Sequence, residues 1–241
     1  MLCARGIVGA EGRITLIDTE SRRGEIYEDI IPGGYNTIRF DEPFTPARYV
    51  EAIQLAEKQS DIIIIDSVSH EWEGISGVLD MAAANEERSG KAGLHNWKSP
   101  KLEHNKMLRR MLQSPLPMIV CMRAKHKSRQ VKENGKTVIV KDEFTSPIQS
   151  EDFIFEMTTH GEIMPDHSYR LTKPVHPSLD TCFPVLEPIT IATGEAIAKW
   201  CEGVPSAPLA DDIFITPAQA QAFIATASGK GWKTAGTKAG G

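Results

Sequence analysis

The chain has 241 residues, 41% hydrophobic and 24% charged, which suits one α/β domain with a small appendage, or two small domains, and excludes low-complexity disorder for most of its length. No apolar run approaches the roughly 18 residues of a membrane span. The net charge of −5 is uneven: twelve Lys or Arg face only Glu103 and Glu133 between Lys98 and Lys141, a local +10 that leaves −15 on the remaining 197 residues.

The N-terminus, Met1-Leu2-Cys3-Ala4-Arg5-Gly6, lacks the basic-then-apolar layout of a signal peptide. Arg13 to Asp18 reads as a buried strand ending in acids. Thr45-Pro46 predicts a helix start, with Thr45 as N-cap and Pro46 at the first helical position, where its missing N–H costs nothing. That helix runs to about Lys58 with Tyr49, Val50, Ile53 and Ala56 on its apolar face. Asp61-Ile62-Ile63-Ile64-Ile65-Asp66 is a continuous β-branched run, as expected of a parallel strand covered on both faces.

Ser99-Pro100 repeats the cap-then-proline device and opens a helix carrying Leu102, Leu108, Met111 and Leu112. Pro117 to Met122 predicts another buried strand. The order strand, helix, strand, helix, strand is the signature of βαβ units and a mainly parallel sheet. After Arg123 the pattern changes. Gln130 to Val140 places Asn134-Gly135 between short alternating segments, a strong hairpin signal. Phe153 to Thr158 and Ser168 to Thr172 read as two further strands, and Thr193 to Cys201 as a closing helix. The domain reading is a core over 1–203, a Pro/Ala/acidic linker over 204–216, and a short helix (Pro217 to Ala227) with a mobile Gly/Lys/Thr tail over 217–241.

The strongest chemical signal is Ile62-Ile63-Ile64-Ile65-Asp66-Ser67. Four apolar residues ending in Asp at the carboxyl end of a parallel strand form the Walker B arrangement, whose acid reaches a nucleotide-bound Mg²⁺. The plainer alternative is a core strand that ends in a capping Asp. Leu16-Ile17-Asp18-Thr19-Glu20 supplies a second strand with acids just past its end, so Glu20 can share a rim with Asp66. The position after Asp66 is Ser67, not a water-activating Glu, so that base is Glu20 by geometry, or Glu71 or Glu73 in the following loop. His70, His95, His104 and His126 have no metal-site spacing and read as surface or hydrogen-bonding residues. Cys3, Cys121, Cys182 and Cys201 form no CxxC pair, so neither a zinc site nor a disulfide framework is indicated. Trp72 and Trp97 read as packing residues, with base stacking as the alternative.

Ile17-Asp18-Thr19-Glu20 and Ile64-Ile65-Asp66-Ser67-Val68 resemble the core of RecA-type ATPases, in which one strand ends in Asp-x-Glu and a later one in Asp-Ser-Val. More closely, Asp66 to Gly74 (DSVSHEWEG), Leu94 to Lys98 (LHNWK), Pro100 to Lys106 (PKLEHNK) and Val120 to Lys125 (VCMRAK) resemble a bacteriophage branch of RecA-like ATPases, labelled nucleotide-binding or AAA-family proteins and linked to single-stranded DNA recombination. The resemblance spans about residues 4 to 175. It implies a P-loop NTPase core with ATP and Mg²⁺ as cofactors, single-stranded DNA and further copies of the chain as partners, and a host-cell cytoplasmic setting.

Residue by residue, the resemblance implies Asp66 as the Mg²⁺ acid acting through water, Ser67 as its polar neighbour and Glu20 as the water-activating base. It places Arg123 where a γ-phosphate sensor stands, although RecA itself uses an amide there, and Arg170 or, better, Lys173 where a cation reaches a neighbouring subunit's nucleotide. Lys125, Lys127, Arg129, Lys132 and Lys136 follow the sensor strand, where DNA-contacting loops lie. No aromatic stands between Arg123 and Val140, so binding there is expected to be electrostatic and steeply salt-dependent.

The chain departs from the family in one respect. Gly-x-x-x-x-Gly-Lys-Ser/Thr, whose backbone N–H groups cradle the phosphates, belongs just upstream of the Met1 to Val8 helix. The sole Gly-Lys-Thr, Gly135-Lys136-Thr137, has Gln130 in place of the first Gly and sits in the hairpin turn. The expected missing piece is a first strand and loop of roughly 15 to 30 residues. The alternative is a non-enzymatic DNA-binding or assembly subunit that has lost ATP binding with its P-loop.

Overall fold

The computed structural model describes residues 1–133 and 136–203. The chain divides into two units, Met1–Cys201 and Glu202–Gly241; apart from Glu202 and Gly203, the second lies outside the described residues, as do the expected linker and C-terminal helix. Four short strands form the central sheet: β1 (Ile14–Asp18), β2 (Asn36–Arg39), β3 (Ile62–Asp66) and β4 (Met118–Cys121). They are all parallel, in the order β2-β1-β3-β4.

The two isoleucine-rich strands occupy the centre and are the most completely buried. β1 is buried along its whole length, and β3 everywhere except Asp66. On one face α1 (Leu2–Val8) packs Ala4 against Ile14, Leu16, Ile62 and Ile64. On the other, α2 (Pro46–Glu57) lays Tyr49, Ala52, Ile53 and Ala56 against Ile17, Ile63 and Ile65. Each fully buried isoleucine contributes about 1.5–3 kcal/mol relative to an exposed one. Thr45 has the extended backbone of an N-cap, but its hydroxyl caps nothing, so Pro46 at the first position carries the start of α2.

Beyond β3 come α3 (Ser69–Glu73), α4 (Val78–Ser89) and α5 (Lys98–Leu112). α5 begins one residue before Ser99, following a 3₁₀ turn over Leu94–Trp97. Its buried stripe is Pro100, His104, Met107 and Met111, while Leu102 and Leu112 are exposed, which corrects the apolar face expected from the sequence. The stripe follows i, i+4, i+7 spacing and includes a histidine because that histidine has a buried partner.

The basic hairpin is longer than the Gln130 to Val140 signal suggested. β5 (Ala124–Glu133) pairs antiparallel with β6 (Lys136–Pro147), and Asn134-Gly135 falls outside the described residues. Phe153 to Thr158 is not a strand: α6 (Phe153–Glu156) is a single helical turn with Phe153 buried and Phe155 exposed. Lys173 explains the difference. Its ammonium donates to the carbonyls of Ile154, Phe155 and Met157, which would otherwise need a neighbouring strand. A second hairpin, β7 (His160–Ile163) with β8 (Tyr169–Lys173), follows, then α7 (Pro177–Asp180) and α8 (Ile191–Gly203).

α1 and α8 cross at Gly6 and Gly194. A Cβ on Gly6 would lie 2.0 Å from the Ile191 carbonyl oxygen, and one on Gly194 would lie 2.1 Å from that of Cys3. Gly6→Ala is therefore expected to cost about 1–3 kcal/mol or more by forcing the helices apart, read as a lower urea midpoint. A variant as stable as the parent would mean that the crossing yields freely. Among the described residues no helix is long and apolar enough to cross a membrane.

Candidate functional site

Strand register brings the acids together. Asp18 at the end of β1 stands opposite Asp66 at the end of β3, and Asp66 stands opposite Cys121 at the end of β4. Ligands of open parallel sheets bind at this carboxyl edge. Asp18 is occupied structurally: its two carboxylate oxygens accept from the N–H groups of Glu20 (2.8 Å) and Gly24 (3.0 Å), which shapes the turn beyond β1.

Thr19 and Ser67 stitch the two strand ends. The Thr19 N–H donates to the Asp66 carbonyl at 2.8 Å, and the Ser67 N–H donates to Thr19 Oγ1 at 2.7 Å. Tyr49 adds its hydroxyl to the Ser67 carbonyl at 3.0 Å. Burial and, after it, the nearby Glu71 charge push this phenol well above its ordinary value, so it serves as a fixed donor. With its backbone pinned, Ser67 turns its Oγ to donate to Glu20 Oε1 at 2.9 Å.

Glu20 is the hub of the rim. Besides Ser67, its Oε1 lies 3.6 Å from His70 Nδ1 and 3.8 Å from Arg123 Nε. His70 Nδ1 is also 2.9 Å from Thr19 Oγ1, and Phe44 stacks on its ring at 4.7 Å. Burial, aided by the Arg123 charge, lowers the His70 pKa despite the pull of Glu20 and Glu73. A neutral imidazole therefore stands beside the carboxylate near pH 7. His70 was legible in the sequence only as a hydrogen-bonding residue, because its partners are set by the register of two strands rather than by spacing.

Asp66 contrasts with Asp18. Among the described residues its carboxylate makes no hydrogen bond or ion pair, although it is largely buried. Burial first, then the charges of Glu20 and Asp18, raise its pKa above the ordinary 3.8, opposed by the Met1 amino group and Arg23. Such a carboxylate gains from a cation or a hydrogen-bond donor.

Of the three carboxylates considered as base, the structure leaves Glu20 on the rim. Glu71 has no exposed surface and is engaged with His104 and Gln149. Glu73 binds Arg123 at 3.0 Å and Lys125 at 3.7 Å. Both lie in α3 rather than in a loop. Arg123 joins the rim group, its N–H donating to Ser69 Oγ at 2.9 Å. Lys125 and Lys132 are exposed on β5, whereas the side chains of Lys127, Arg129 and Lys136 lie outside the described residues. Lys173 belongs to the β7–β8 hairpin, its ammonium occupied by three carbonyls, and Arg170 binds Glu162 at 2.5 Å. Neither is among the residues gathered at the rim.

Trp72 and Trp97 pack at 6.3 Å, as expected of packing residues. Two surface hollows of about 450 and about 460 Å³ lie along α2–α5 (Val50, Lys106, Arg110) and α4–α5 (Arg88, His95, Lys98); no rim residue lines either. Among the described residues no group of three His, Cys, Asp or Glu could hold a metal by itself, so a cation at Asp66 would depend on water and ligand oxygens. No protein-family model, no curated protein and no solved structure matches this chain.

Proposed function

We propose that this chain is the body of a RecA-like ATPase of bacteriophage type: Mg²⁺-ATP is held at the carboxyl edge of β1 and β3, and its hydrolysis is coupled to single-stranded DNA on the basic hairpin. The observation that carries the reading is the pair Asp66 and Glu20. One is a desolvated carboxylate with no hydrogen-bond or ion-pair partner among the described residues, the other a carboxylate aligned by Ser67 and flanked by His70 and Arg123.

In this reading Asp66 orients the Mg²⁺ shell through water, and the ion neutralises charge on the β- and γ-phosphates. Glu20 orients the attacking water, and Arg123 answers the charge on the γ-phosphoryl group. Arg123 is balanced by Glu73 in the structure and would exchange that partner for phosphate. Contact between nucleotides and neighbouring subunits makes oligomerisation part of the proposal.

The 241 residues contain no Gly-x-x-x-x-Gly-Lys-Ser/Thr. β4 is an edge strand of the described sheet, and the Met1 amino group is near enough to act on both Asp66 and Cys121. A parallel strand added beside β4 would deliver a following loop to that corner. The test compares the chain as given with one extended by its in-frame upstream codons. The chain as given is expected to show no ATP binding by calorimetry. The extended chain is expected to turn over ATP with Mg²⁺ if the added residues include the phosphate loop. Micromolar ATP binding by the short chain would overturn the phosphate-loop dependence. Stop codons directly upstream would favour the non-enzymatic DNA-binding subunit.

Charge reversal at Lys125 and Lys127 is expected to weaken single-stranded DNA binding and to flatten the slope of log K against log salt by about two contacts' worth. Fluorescence anisotropy at several salt concentrations reads both. Unchanged affinity would place the DNA surface elsewhere.

A further inference from the structure

Glu71 in α3, His104 in α5 and Ser150 just beyond β6 meet in a second polar cluster that the ATPase reading does not use. Glu71 is wholly buried and His104 nearly so. His104 Nδ1 lies 3.0 and 3.2 Å from the two Glu71 carboxylate oxygens, and Gln149 Nε2 donates to Glu71 Oε2 at 3.1 Å. Facing a carboxylate, Nδ1 is the donor of the ring, and in the tautomer that this sets Nε2 is the acceptor. The group opposite Nε2 is Ser150 Oγ, at 3.2 Å.

The sequence hydroxyl, imidazole, carboxylate is the arrangement that activates a serine: the base is within reach of the nucleophile, and a third group fixes its tautomer and steadies the cation formed. Aromatic rings wall the imidazole, Trp72 edge-on at 5.5 Å and Phe153 at 6.3 Å. Only Ser150, half-buried, brings the chain of hydrogen bonds to the surface. The second nitrogen thus meets the hydroxyl of a half-buried residue.

We propose that Ser150 is an activated nucleophile that accepts acyl groups from small activated carboxylic esters, with His104 as its base and Glu71 as the positioning residue. Ser150 Oγ bonds to the carbonyl carbon while its proton passes to His104 Nε2. The bond from that carbon to the leaving oxygen then breaks: an alcohol leaves with the proton from His104 Nε2, whereas a phenolate leaves without it and Nε2 gives the proton to solvent. Water, deprotonated by the same nitrogen, attacks the acyl-serine, releasing the carboxylic acid and restoring the hydroxyl. No nucleotide or metal enters, so the proposal stands or falls separately from the ATPase reading.

The test uses the 241-residue chain with p-nitrophenyl acetate and a fluorophosphonate probe. The expected result is a burst approaching one p-nitrophenolate per chain, with the acetyl and phosphonyl groups located on Ser150 by peptide mass spectrometry. Ser150→Ala, with its fold checked by circular dichroism, is expected to abolish both. His104→Gln is expected to slow the burst at least about 100-fold. Glu71→Gln is expected to slow acylation and to alter its pH profile, which a purely structural carboxylate would not do. No burst above solution hydrolysis, labels on other residues, or a burst that survives Ser150→Ala would overturn the proposal.

Discussion

His104→Ala is expected to remove about 3–5 kcal/mol of unfolding free energy, a fall in melting temperature on the order of 10 °C. The substitution leaves the Glu71 carboxylate, which has no exposed surface, with Gln149 as its one remaining side-chain partner. It also removes the ring that packs against Trp72 and Phe153. Glu71→Ala is expected to cost a similar amount by stranding His104 Nδ1 and leaving Gln149 Nε2 with the Val68 carbonyl alone. The double replacement Glu71→Ala with His104→Ala is expected to cost clearly less than the sum, because neither the carboxylate nor the imidazole is then left facing an empty site. Urea denaturation of the four proteins reads the cycle. A loss below about 1 kcal/mol in either single variant would mean that water reaches the pair.

That pair was beyond the reach of the sequence. Glu71 and His104 are 33 positions apart, and His104 and Ser150 are 46 apart, on elements whose packing sets the meeting point. The strand ends were legible for the opposite reason. Ile14–Asp18 and Ile62–Asp66 are apolar on both faces and stop at acids, so burial, direction and rim position follow from one local pattern. β2 and α4 went unread because each carries too weak a signal. β2 has four residues with exposed ends, and α4 buries only Val78 and Ala82. Phe153 to Thr158 reads as a strand because an apolar run says nothing about who takes its carbonyls, and Lys173 stands at the far end of the next hairpin. In the site, Glu20 and Asp66 could be paired from strand endings, whereas the choice of Glu20 over Glu71 and Glu73 required burial and ion-pair partners.

α3 follows from these contacts as the element joining three regions. His70 faces Glu20, Glu73 holds Arg123 and Lys125 at the start of the basic hairpin, and Glu71 reaches Gln149 beyond its return strand. Five residues that begin two positions after Ser67 thus tie the acid rim to both feet of β5–β6.

Asp66→Asn is the substitution in which stability and activity are expected to move in opposite directions. The folded-state pKa of Asp66 is raised, chiefly by burial and then by Glu20 and Asp18. The folded chain therefore binds this proton more tightly than the unfolded chain does, and ionising Asp66 costs stability. The cost is fully present above the folded-state pKa, shrinks as pH falls through it, and is gone below the ordinary value of 3.8. Asn keeps the shape without the charge. The variant is thus expected to melt a few degrees higher than the parent at pH 7, with the difference vanishing below about pH 4. In the chain extended to carry a phosphate loop, the role proposed for Asp66 in ordering the Mg²⁺ water shell predicts that the same replacement lowers Mg²⁺-dependent ATP turnover at least about 100-fold. Scanning calorimetry across pH 3 to 7 and a phosphate-release assay measure the two halves. A variant that is destabilised at pH 7 would show that Asp66 is held by unseen favourable partners. One that is stabilised and still hydrolyses ATP at the parental rate would remove Asp66 from the metal site and leave the rim without its acid.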